Sequence, residues 1–241
     1  MGIIMFNGRS SRDVGLEVET FPQYEAPQKV LDVITVPGRN GDLVIDTGTF
    51  KNVPRTYAVS IATRDHISYS QTLSQIAEWL YSANGYTRLE DSYDEDYYRI
   101  AYYGDQTPFE NLFNEAGKAT LTFVCKPQRY FKSGEFPILY ESAGKIQNGT
   151  RFSAFPLLKV VTDNTVGSIT IGNYAFEIAA DAGTHVNIDC EIQEAYYGAE
   201  SKNNYINLNG GDYPRIDPGE HIISFTGGIQ SVEVIPRWWT V

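Results

Sequence analysis

One window of this chain has helical periodicity, and almost everything around it is strand-sized. In "YSQTLSQIAEWLYSANG", Leu73, Ile76, Ala77 and Leu80 recur at i, i+3, i+4 and i+7. That spacing describes a helix burying one face. Ser70 is the expected N-cap, and Gly85 after Asn84 the expected stop. Trp79 widens the apolar face and reads as a core side chain rather than a ligand platform. Elsewhere the period is two. "RTYAVSIATR" alternates Tyr57, Val59 and Ile61 with small or polar neighbours, and "KATLTFVCKP" alternates Leu121, Phe123 and Cys125. "VLDVITVPG" sets Leu31, Val33 and Thr35 against Val30, Ile34 and Val36, so it reads as a strand buried on both sides. From residue 155 onward only strand-length runs occur. They are separated by Asp163-Asn164, Gly172-Asn173, Asn209-Gly210-Gly211, Pro218-Gly219 and Gly227-Gly228. The fold class implied is mainly β: an N-terminal β-sandwich carrying one α-helix, then an all-β sandwich.

At 241 residues the chain has room for one large or two small domains, each with a real core. The stretch 133–152 is rich in turn formers. A boundary there divides the chain into domains 1–137 and 138–241.

The formal net charge is −11, and neither half is basic. A protein that grips duplex DNA presents a positive face to the phosphates. An acidic one suits a passage through which DNA moves without being held. Cys125 and Cys190 sit in apolar runs without CxxC or metal-ligand spacing, and read as buried reduced thiols. The start, "MGIIMFNGRSS", has neither the basic n-region nor the long apolar core of a secretory signal, and no apolar run reaches the length of a membrane span. The expectation is a soluble protein made in a cytosol, without membrane insertion.

Catalytic motifs are absent: no GxGxxG after a strand, no GxxxxGK[ST], no GxSxG and no HExxH. His66, His185 and His221 lie far apart, with no ligand-spaced partners, so no catalytic or metal role is assigned to them. Asp91, Asp94, Glu95 and Asp96 cluster, but lack the central glycine and distal glutamate of an EF-hand, and read as a solvated hairpin tip. "NGT" at 148–150 reads as an accidental glycosylation sequon. No enzyme activity, cofactor or metal is expected.

"VPGRNGDLVIDTGTF" offers glycines beside Arg39, the ingredients of a phosphate loop. Such a loop must open a helix, whose amide dipoles face the anion. Here it opens a strand. Pro37-Gly38 and Asn40-Gly41 are turn signals, the second favouring a type I′ turn, so a β-hairpin or arm with a charged tip is expected. At the far end, "VIPRWWTV" places Trp238 and Trp239 on opposite faces of a last strand, one toward the core and one toward a partner or the first domain; a sugar-stacking role is the alternative.

Taken together, "FNGRSSRDVGLEV", "ITVPGRNGDLVIDTG", "IAEWLYSANGYTRLEDSYD", "YYRIAYYG" and "LTFVCKPQRY" resemble the ring-forming N-terminal domain of the distal tail proteins of long-tailed, non-contractile bacteriophages. "FPLLKV", "GSITIGNY", "NIDCEIQEAYYG" and "PGEHIISFTGGIQSVEVIPRWWTV" resemble that family's C-terminal domain, which is galectin-like or like a carbohydrate-binding module. The resemblance implies a structural protein of the virion tail tip, synthesised in the bacterial host cytoplasm. It implies a homohexameric ring around a DNA exit channel. The ring's partners would be the tail tube protein, the tail-tip or tail-associated lysin protein, and receptor-binding or baseplate proteins. Within that picture Arg39, Asn40 and Asp42 are candidate ring or partner contacts, and Trp238 and Trp239 a candidate aromatic contact. The competing function is a carbohydrate-binding adhesion module.

Overall fold

The computed structural model describes residues 2–63, 67–112 and 116–241, so His66 lies outside the described residues. Contacts group the chain into two compact units, Met1–Arg129 with Val241, and Tyr130–Thr240. The change of unit falls near the end of one long strand, Ala116–Phe131.

The first unit is built on a sheet whose spatial order is Arg9–Ser10, Ile4–Phe6, Thr87–Asp91, Tyr97–Tyr102, Ala116–Phe131, Val53–Ala62 and Leu16–Val18. Its spine is the antiparallel pairing of Ala116–Cys125 with Val53–Ala62, in unbroken register from Ala116↔Ala62 to Cys125↔Val53. Period-two alternation sends Tyr57, Val59, Ile61, Leu121, Phe123 and Cys125 to one face, and all are essentially fully buried.

The α-helix Tyr69–Leu80 covers that face with Ile76, Trp79 and Leu80. Phe6 meets Trp79 edge-on at 6.0 Å and Phe123 at 4.9 Å between ring centres. Trp79 is fully buried, and its indole N–H donates to the Arg9 carbonyl at 3.1 Å. The helix begins one step before the expected cap. Ser68, not Ser70, is the N-cap: its hydroxyl accepts from the Gln71 N–H while Gln71 Oε1 accepts from the Ser68 N–H. It also ends before Gly85, at Leu80, where the Ser82 hydroxyl donates to the Trp79 carbonyl.

The second unit is a sheet ordered Ile138–Tyr140, Gly219–Ile235, Leu157–Ile171, His185–Asp189, Glu194–Tyr197 and Glu200–Ser201. Gly144–Asn148 adds to Gly219–Ile235, and Tyr174–Ile178 adds to Leu157–Ile171. Two strands of 15 and 17 residues, Leu157–Ile171 and Gly219–Ile235, run through the whole unit. Their register shifts between Val161 and Thr162 and again between Thr162 and Gly167. One half of Leu157–Ile171 pairs with His185–Asp189 and the other half with Tyr174–Ile178. The bulged bend thus lets the same two strands serve both sides of the core. Gly228 is required there: a Cβ would lie 2.4 Å from Asp163 Oδ1 and 2.6 Å from the Thr165 carbonyl. Leu158, Val160, Ile169, Phe176, Val186, Ile188, Val232 and Val234 fill the interior.

Both cysteines are buried and unbridged, and burial pushes the Cys125 thiol up to about 12. Asn148 of the sequon is buried, and its amide donates to the carbonyls of Phe152 and Ile216, so it is a structural residue of the second unit.

Candidate assembly interface

Residues Lys29–Ile34 and Leu43–Phe50 form a two-stranded antiparallel ribbon that joins neither large sheet. This is the arm anticipated around Arg39. The reversal is made by Val36-Pro37-Gly38-Arg39, in which the Arg39 N–H donates to the Val36 carbonyl at 3.2 Å and Gly38 has φ +81°. Proline second and a positive-φ glycine third are the requirements of a type II turn. The type I′ turn expected at Asn40-Gly41 does not form, because Gly41 has positive φ but Asn40 does not. Thr35 Oγ1 donates to Asp42 Oδ1 at 2.8 Å and braces the two strands below the tip. Arg39, Asn40 and Asp42 are all exposed there.

The expectation of a strand buried on both sides is corrected here. The register pairs Leu31 with Asp46, Asp32 with Ile45, Val33 with Val44 and Ile34 with Leu43. One face therefore carries Leu31, Val33 and Val44, and the other Ile34, Leu43 and Ile45. All six are exposed, Val33 at 58% and Val44 at 55%. The pattern is that of an interior strand, but among the described residues none forms a layer on either side of the ribbon. A contiguous apolar surface of this kind marks an interaction site.

Nearer the body the arm is shaped by a bulge. The register slips between Lys29↔Phe50 and Leu31↔Asp46. Asp46 Oδ1 accepts from the Gly48 N–H at 3.0 Å, Thr47 Oγ1 donates to the Val30 carbonyl at 2.8 Å, and Gly48 has φ +75°. Lys29 Nζ pairs with Asp46. Its hydrogen bond, then that of the Gly48 amide, lowers the Asp46 carboxyl below its ordinary range.

At the arm's root sequence reasoning missed a charged cluster. Asp91 and Asp94, expected at a solvated hairpin tip, are ion-paired instead. Arg55 Nη2 donates to Asp91 Oδ2 at 3.0 Å, and the Tyr57 hydroxyl donates to the same oxygen at 2.7 Å. Asp94 accepts from Arg99 at 3.0 Å and from Arg129 at 2.9 and 3.0 Å. Burial, then the neighbouring Asp91 charge, raises the Tyr57 phenol well above its usual value. Burial pulls Arg55 down, but Tyr57 and Asp91 outweigh it and its net shift is upward. Glu95 and Asp96 alone of the four acids are exposed.

In the second unit Trp239 stacks on Phe152 at 4.3 Å with planes 21° apart, and its indole N–H donates to the Ser153 carbonyl. Trp238 is half-buried and packs on that unit's core. Its backbone N would lie 2.4 Å from a Cβ at Gly134. Arg237 donates to both carboxylate oxygens of Asp189, at 2.7 and 2.8 Å. Of the other histidines, His185 stacks on Tyr197 and His221 Nε2 bonds the Asp217 carbonyl.

Residues 14–125 match the family model of the phage tail protein RIFT-related domain. The crystal structure of SPP1 Dit (gp 19.1), described as a paradigm of hub adsorption apparatus in Gram-positive infecting phages, matches over 100% of both chains, with TM-score 0.72 and 11% identity. Chains of the phage P2 baseplate in its activated conformation match over 97% of both chains, at 9% identity. Their TM-scores are 0.56 with Ca and 0.55 with Sr. No curated protein sequence matches the chain. At such identities the structural likeness is one of fold, and it runs through both units. Residues 14–125 thus resemble the phage tail protein RIFT-related domain, and the chain as a whole shares the fold of the phage hub protein SPP1 Dit.

Proposed function

We propose that this protein is a structural subunit of the siphophage tail tip. In this reading it forms a hexameric ring at the distal end of the tail, joins the tube to the tip or baseplate, and surrounds the DNA exit channel. It meets the tail tube protein on one side and the tail-associated lysin or baseplate proteins on the other. The second unit, a galectin-like sandwich, serves as an attachment platform. The observation that carries the reading is the arm, a ribbon with an apolar residue triplet uncovered on each face. A closed ring is built from heterologous contacts, in which a projecting element of one subunit is received by a different surface of the next. Fully burying a valine, leucine or isoleucine side chain contributes about 1.5–3 kcal/mol. Six half-exposed ones can supply several kcal/mol on assembly, well above the ~0–1 kcal/mol of an exposed ion pair at Arg39. In this reading the apolar faces supply affinity, while Arg39, Asn40 and Asp42 fix register. The net charge of −11 suits a channel that passes DNA without holding it.

Light scattering on the purified chain, followed by negative-stain imaging, tests the proposal. Six-fold rings in the wild type, lost in Val33→Asp, are the expected result. Normal rings or tails from Val33→Asp would remove the arm from the assembly contact.

A further inference from the structure

The arm is fed by residues 20–28, which belong to no strand. This lead is nonetheless tied to the body at three successive points. Phe21 packs edge-on against Tyr93, with ring centres 4.9 Å apart. The Gln23 carbonyl accepts from Arg55 Nη1 at 3.0 Å. The Tyr24 ring lies under the Arg129 guanidinium at 5.0 Å.

Each tie reaches the acidic turn after Thr87–Asp91. Tyr93 donates its N–H to Asp91 Oδ1 at 3.0 Å, Arg55 pairs with Asp91, and Arg129 pairs with Asp94. Arg55 is 5% exposed, and its Nη1, Nη2 and Nε donate respectively to Gln23 O, Asp91 and the Tyr57 hydroxyl, the last at 3.4 Å. A guanidinium fork can serve three acceptors in fixed directions; an ammonium cannot hold that geometry. Beyond the lead, Lys51 N–H closes on the Gln28 carbonyl at 2.9 Å, and Asn52 donates to the Tyr86 hydroxyl. A small cleft lined by Tyr24, Pro27, Val53, Pro54, Arg99 and Arg129 lies where the two ends of the arm meet the sheet.

We infer that Arg55 and Arg129 are positioning residues for the arm. Anchored by Asp91 and Asp94, they hold an otherwise unpaired lead to the sheet and so set the direction in which the arm projects. A two-stranded ribbon without a core is marginal by itself in water. Its aim must therefore come from its root, and the two arginines place a buried, directional restraint there. The consequence for assembly rests on the reading that the arm carries the ring contact; the restraint itself does not.

Hydrogen exchange read by mass spectrometry on the full chain, in dilute solution, tests the restraint separately from assembly. The variants are Arg55→Lys, Arg129→Gln and the surface change Tyr24→Ala. For Arg55→Lys, amides of residues 20–52 are expected to exchange at least about tenfold faster, the loss of a charged hydrogen bond. For Tyr24→Ala the expected rise is about two- to fivefold, the loss of an exposed cation–π contact. Amides of 57–62 and 121–125 keep their wild-type rates. Equal acceleration of arm and core would make the arginines ordinary stabilisers and overturn the inference. So would an arm that exchanges unchanged in Tyr24→Ala and Arg129→Gln, which decide the matter if Arg55→Lys does not fold. Rings that survive Val33→Asp while the exchange result holds would sink the assembly reading and leave the positioning role standing.

Discussion

Val33 and Val44 face each other across the arm, and each keeps more than half of its surface open to solvent. A carboxylate at either position costs the isolated chain little, since exposed substitutions usually fall within about 0.5 kcal/mol. Thermal denaturation of Val33→Asp and Val44→Asp should give melting curves close to wild type, while light scattering shows assembly lost. A fall in thermal stability together with assembly would mean that the valines are covered within the chain.

Arg39 stands at the tip, as the last residue of the type II turn. Arg39→Glu should weaken ring formation by roughly tenfold or less, because an exposed or rim charge contributes about 1 kcal/mol. Raising the salt concentration should narrow the gap between variant and wild type. Assembly indistinguishable from wild type at low salt, by light scattering or electron microscopy, would remove Arg39 from the contact.

Asp189 accepts two hydrogen bonds from Arg237. Burial alone would raise its carboxyl, but the Arg237 hydrogen bonds and charge outweigh that, and the net shift is downward from 3.8. A depressed carboxylate stabilises the folded state above its unfolded pKa. That contribution disappears as pH falls through the lower, folded value. Asp189→Asn should therefore lower the stability of the second unit by about 1–3 kcal/mol at neutral pH. The difference from wild type should shrink below about pH 4. Urea titrations at pH 7 and pH 3 check this, and a gap that widens in acid would contradict it.

Ser68 caps the helix that roofs the first core. Ser68→Ala should cost about 1 kcal/mol, and Ser70→Ala, inside the first turn, distinctly less. Paired melting curves distinguish the two. Equal losses would place the cap elsewhere.

The helix and the sheet spine of the first unit were legible because period and burial agree there. Ile76, Leu80, Tyr57 and Phe123 each lie inward, as their spacing requires. The true N-cap was legible as well: Ser68 and Gln71 stand three apart, the capping-box spacing, although Ser70 drew the assignment. The exposure of the arm was not legible. Alternation reports that both faces of 30–36 are apolar; it carries no information about whether the covering layer belongs to the same chain. Nor were the arginine ties. Arg55 and Asp91 lie 36 positions apart, and Arg129 and Asp94 lie 35 apart, beyond any local spacing rule. The bend in the second unit was marked by Gly227-Gly228, read as a turn between strands. In the fold those residues sit inside one strand of 17 residues, where close backbone approach rather than reversal demands glycine.

The charge pattern of the arm also bears on whether copies of the chain stack on one another. A ribbon with apolar faces and two open edges is a template for stacking copies of itself into fibrils. Each face, however, carries one acid among its aliphatic residues, Asp46 on one and Asp32 on the other. In-register stacking would bring identical carboxylates to about 4.8 Å from one another. A row of like charges works against self-stacking, as gatekeeper residues do, although Lys29 offsets part of the Asp46 charge. The same ribbon can thus keep its aliphatic surface open without stacking on copies of itself.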